Sequence, residues 1–207
     1  MDTTPTTLSI PQIKECIANW HNVLNNSTKL LEYFGQGNSF YYNFIASMGT
    51  GSEYVHAYPA VKNGQFIFLM IPSKYDSPTY ATSINNYVVE CDIALTVGES
   101  RITKKEATKR ITAWNTNYPT WVPAQAASAV GMFQAFSIQV GDFEPAADPN
   151  RKINFGLIYN ASLAQLYTAD LIVTNVEMTA TYYDDMAEVV PPFSTTAAQS
   201  SFYLLQL

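Results

Sequence analysis

The residues best suited to acid–base chemistry in this chain are its two histidines, His21 and His56. His56 stands in Tyr54-Val-His-Ala-Tyr58, where strand alternation puts it on one face with Tyr54 and Tyr58. An imidazole there could act as a general base if a carboxylate oriented its second nitrogen. Glu53 is the nearest acid, but alternation turns it to the opposite face, and Asp76 can approach only through tertiary folding. The expectation is a structural His56, hydrogen-bonded among aromatic rings. His21 follows Trp20 beside a buried helical stripe and reads as a partly exposed histidine of the same kind.

Other chemistries find little to work with. With two His and two Cys and no CxxC spacing, the familiar zinc motifs are excluded, and no cofactor is expected. Cys16 falls on a helix and Cys91 in a strand, so both read as free buried thiols of a reducing compartment. No GxSxG marks a nucleophile elbow, and Gly49-Thr50-Gly51 lacks the third glycine and the strand–loop–helix setting of a phosphate loop. Asp184 and Asp185 are adjacent, and neighbours along a strand point to opposite faces. Aromatic contacts remain. Trp121 is bracketed by Pro119 and Pro123 in what reads as a stiff loop, and Tyr75, Tyr182 and Tyr183 fall at strand ends. These four are the candidate contact residues, because Tyr and Trp bury large areas with few rotors.

Charge narrows the partners. Only 14% of residues are charged and the net charge is −6, the wrong balance for displacing phosphate counterions. One local exception is the segment 101–110, where Arg101, Lys104, Lys105, Lys109 and Arg110 collect five of the eleven basic residues. A charge run is ordinarily a solvated helix face, and nucleic acid is the least favoured partner. The N-terminus shows no cationic and apolar leader pattern, and the longest unbroken apolar run, Phe66 to Ile71, is too short to span a bilayer. A cytoplasmic protein with no membrane contact is expected.

The elements that position these residues repeat. Leu8-Ser9-x-x-Gln12-Ile13 leads to Ile17 and Trp20, and Ile102-Thr103-x-x-Glu106-Ala107 leads to Ile111 and Trp114, always 94 positions apart. Ser9 and Thr103 fit N-caps, Gln12 and Glu106 close capping boxes, and Leu8 and Ile102 fit hydrophobic staples. Ile13, Ile17, Trp20 and Leu24 extend one helix face. Phe40–Gly49 then matches Met132–Gly141, Phe66–Ser73 matches Ile153–Asn160, and Val89-Glu90 matches Val176-Glu177. Asn63-Gly64 signals a tight hairpin before Phe66. The fold expected is α+β: two tandem, diverged copies of a helix-plus-three-strands (αβββ) unit, with an antiparallel or mixed sheet and an approximate internal two-fold. The copies span 8–98 and 101–184, and 185–207 is an extended tail docking on the body. The function that fits is a non-enzymatic interaction or ligand-binding protein, self-associating or holding an unknown protein or small ligand. An enzyme with a motif-free site and His56 as base is the alternative.

Overall fold

The computed structural model describes residues 8–94, 104–143, 150–176, 181–184, 188–190 and 201–207. Helix α1 (Ile10–His21) begins at its sequence signal: Gln12 Oε1 accepts from the amide and hydroxyl of Ser9 at 2.9 and 2.8 Å, and Leu8 and Ile13 share one cluster. Its stripe of Ile13, Cys16, Ile17 and Trp20 is buried. The helix stops at His21 instead of running through Leu24, because the Asn-rich stretch 22–26 favours caps over helix interior. Asn26 then accepts from Lys29 N at 3.1 Å and opens α2 (Ser27–Phe34). The expected cap at Thr103 and the join at 98–100 lie outside the described residues.

Strands β1 (Ser39–Asn43), β2 (Tyr54–Lys62), β3 (Gln65–Pro72) and β4 (Val89–Ala94) occupy the first half, with a short helical turn, α3 (Ala46–Gly49), after β1. The long helix α4 (Lys104–Ala126) leads to β5 (Ala135–Gln139), β6 (Asn150–Tyr159), β7 (Tyr167–Val176), β8 (Thr181–Asp184) and β9 (Glu188–Val190). Among the described residues these nine strands form one antiparallel sheet, in the order β8-β7-β6-β1-β4-β3-β2-β5-β9. The sheet curls until β9, at one edge, comes against β7 beside the other, which makes it a near-barrel. Each half thus carries four strands where three were expected, and β9 draws part of the expected tail into the sheet. Asn63 and Gly64 join β2 to β3 with φ of 52° and 81°, the left-handed pair that a two-residue hairpin matching strand twist requires.

Alternation divides the side chains into two layers. Phe40, Phe68 and Phe155 point into the curl, with Phe40 and Phe68 stacked at 4.4 Å. Trp20 stacks on Phe66 and donates its indole N–H to the Phe133 carbonyl at 3.0 Å, while Trp114 packs on Phe155 at 4.9 Å. On the outer face, Tyr58, Ala60, Ile67, Leu69 and Ile71 of β2 and β3 pack under α1. β3 is therefore buried on both sides, which is why its sequence is an unbroken apolar run. α4 covers the outer face of β6 and approaches closely at Gly156, where a Cβ would stand 3.4 Å from that of Arg110.

Residue similarity and the sheet agree in matching β1 with β5, but not every expected strand correspondence is that of the sheet. Similarity would match β3 with β6, yet β3 lies between β2 and β4, and β6 between β1 and β7. Buried central strands share one apolar pattern, so either aligns with any other. The ladders have a regularity of their own. Tyr41↔Lys152 and Tyr42↔Arg151 join β1 to β6; Ser137↔His56 and Ile138↔Val55 join β5 to β2. Each residue of one pair lies 96 positions from its counterpart in the other. Phe40↔Ile93 and Ser39↔Ala94 likewise have counterparts 96 positions on, in Phe136↔Val189 and Ala135↔Val190. α1 lies on β2 as α4 lies on β6.

Candidate functional site

A buried polar cluster of the outer face is built on β2. His56 and Tyr58 point away from the curl, two residues apart, and a short 3-10 turn at Ser73–Tyr75 after β3 brings Asp76 beside them. His56 Nδ1 and Asp76 Oδ2 are 2.7 Å apart, and the Tyr58 hydroxyl donates to the same carboxylate oxygen. Asp76 Oδ1 accepts from the backbone N–H of Leu204 at 3.0 Å. Phe202 stacks on the His56 ring, centroids 4.1 Å apart, and Leu204 is buried in the layer that contains Tyr58 and Ile71. Burial first, and the Asp76 charge second, hold the Tyr58 phenol well above its ordinary value, so it remains a donor.

The cluster has the parts of an oriented imidazole. The carboxylate that alternation could not supply arrives through the fold, and Ser137 is directly opposite His56 on β5. What it lacks is an opening: His56 is 3% exposed and its ring face carries Phe202. Residues 201–207 lie in this cluster as a ligand would, anchored by one aromatic ring, one backbone hydrogen bond and one buried leucine.

Of the four candidate contact residues, Trp121 belongs to the inner cluster and Tyr75 packs against the outer one. Trp121 is in α4, not in a loop. Pro119 and Pro123 lie inside that helix and remove the amide donors that would bond to the Asn115 and Pro119 carbonyls. Burial of Trp114, Tyr118, Trp121 and Val122 on one face overrides the local breakers, and Trp121 donates to the Tyr167 carbonyl at 3.0 Å. Tyr75 is half-buried, stacked on Tyr87 at 3.8 Å with Tyr80 edge-on to both. Tyr182 and Tyr183 lie on β8, and their side chains are outside the described residues.

The basic helix is partly neutralised. Arg110 binds Glu106 at 3.2 Å and Asp170 at 3.0 Å, and Lys109 lies 3.5 Å from Glu106. The hydrogen bond from Arg110 lowers the Glu106 carboxyl below its ordinary value. A groove of about 250 Å³ runs between α1 and the β2–β3 hairpin, lined by Gln12, Glu15, Cys16, Asn19 and Lys62 among others. Burial raises the Cys16 thiol, so it stays protonated there. Among the described residues no group of His, Cys, Asp and Glu could hold a metal ion, and no helix is long and apolar enough to cross a membrane. No protein-family model matches this chain, and no curated protein or solved structure does.

Proposed function

We propose that the chain is a non-enzymatic interaction protein, made of two diverged copies of one helix-plus-strands unit, whose outer β2–β3 face receives a short aromatic and aliphatic segment. The carrying observation is the seating of residues 201–207, with Phe202 on His56 and the Leu204 N–H on Asp76. A backbone hydrogen bond with flanking apolar side chains is how segments are recognised in extended grooves. The same seat can take the segment of a second copy, which gives self-association by reciprocal exchange. The duplication is supported by the ladders that recur at 96 residues, a better guide than residue similarity because register constrains every side chain on a strand. Two free, buried cysteines fit a reducing, cytoplasmic setting.

The test uses the full chain with Phe202→Ala and Leu204→Ala, which vacates the seat, and a labelled peptide Ser-Phe-Tyr-Leu-Leu-Gln-Leu. Saturable binding to the double variant, weaker binding to the parent, and loss on adding Asp76→Ala are expected. A peptide that binds neither chain, or binds equally with Asp76→Ala, refutes the reading. The oriented His56 favours a second reading, a general base under the segment. An esterase or protease activity that emerges in the double variant and vanishes on His56→Gln would favour it over the first.

A further inference from the structure

Lys152 occupies on β6 the ladder position that His56 occupies on β2, 96 residues earlier. Both residues point to the outer face, and both are buried, Lys152 at 8% exposure. Their surroundings differ in one respect that matters. His56 has the Asp76 carboxylate and the Phe202 ring. The Lys152 ammonium is shielded from solvent and has no hydrogen-bond partner among the described residues. Its cross-strand neighbours are Thr174, whose hydroxyl accepts from Asn154 Nδ2 at 2.8 Å, and Tyr41. Tyr41 is 48% exposed. A buried cation without a counter-charge is costly, and desolvation lowers the Lys152 amine from its ordinary value. An anion bound there would supply the counter-charge and the hydrogen-bond acceptor that the amine lacks.

We infer that Lys152 and Tyr41 form a second seat, twin to the one on β2, that takes a small aromatic carboxylate: the acid group on the Lys152 ammonium, the ring against Tyr41. Tyr41 and Lys152 are direct cross-strand partners on β1 and β6, so a ligand that meets one lies beside the other. The chemistry mirrors that of the filled seat, where a carboxylate and an aromatic ring also meet the residue at this position, but there both come from the chain itself.

The experiment is a titration of the full chain with phenylacetate, read by NMR at the Lys152 side chain, with 2-phenylethanol as the uncharged control. Phenylacetate should give a saturable shift, 2-phenylethanol none. Lys152→Met should weaken binding by at least about tenfold, the worth of one charge-assisted hydrogen bond, while leaving the unfolding midpoint unchanged or raised. Tyr41→Ala, at an exposed position that does not threaten folding, should also weaken it. A response to 2-phenylethanol as large as to the acid, undiminished binding in Lys152→Met, no saturable shift in the parent, or a clear fall in the Lys152→Met midpoint would each overturn the inference. The last would show that the amine supports the fold.

Discussion

Asp76 is the residue whose removal should be felt furthest. Its carboxylate faces His56 Nδ1 and accepts from the Tyr58 hydroxyl on one oxygen, and accepts from the Leu204 amide on the other, all within the buried outer layer. Asp76→Ala strips three groups of their partner at once and leaves each desolvated. A buried hydrogen bond to a charged group is worth about 1.5–3 kcal/mol, and three sharing one acceptor are not additive, so about 3–5 kcal/mol is expected. Asp76→Asn keeps the shape and one acceptor oxygen for Leu204, and should cost about 1–2 kcal/mol. Urea unfolding measures both, and hydrogen exchange at the Leu204 amide reports whether the 201–207 segment leaves before the rest unfolds. Opening there should become local and fast in Asp76→Ala. If Asp76→Ala falls within about 1 kcal/mol of the parent, or if the Leu204 amide stays as protected as the core, the reasoning that the carboxylate pins the segment is wrong.

Gly64→Ala meets no atom within 4 Å, so its cost is purely that of φ 81° for an L residue, about 1–2 kcal/mol by denaturant titration. Leu166 holds φ 62° in the β6–β7 connection while 46% exposed, so Leu166→Gly should stabilise by about 0.5–1 kcal/mol, read as a raised unfolding midpoint. The Lys152 amine is depressed in the fold, so its charging penalty is fully present below the folded value and fades as pH rises toward the unfolded value near 10.5. The stability gap by which Lys152→Met exceeds the parent should therefore narrow with rising pH; a gap independent of pH would show that burial of the charge is not its source.

Local signals in the sequence located local structure. Ser9 with Gln12 marked the start of α1, and Asn63-Gly64 marked the β2–β3 turn, because caps and two-residue hairpins are decided within four residues. Trp121 shows where such reasoning fails. Two prolines four apart say loop, but a stripe of Trp114, Tyr118 and Trp121 buried on one helix face outweighs them. The strand count failed because the residue matches that defined the αβββ unit leave out β2.

The candidate site was half visible, and the missing half explains why. His56 and Tyr58 could be put on one face from their spacing alone. Asp76 is 20 residues from His56, and Leu204 is 128 residues from Asp76, separations at which no periodicity carries information. A polar group on the outer face of a sheet must find its partner through whatever the chain lays over that face. On β2 the chain supplies Asp76, Phe202 and Leu204; on β6, at the matching position, no described residue supplies an acceptor to Lys152. Two residues that share a ladder position but differ in partner fit the proposal that two copies of one unit have diverged. That contrast rests on the sheet register and not on residue similarity, which is why the two histidines and the cysteine count gave no hint of it.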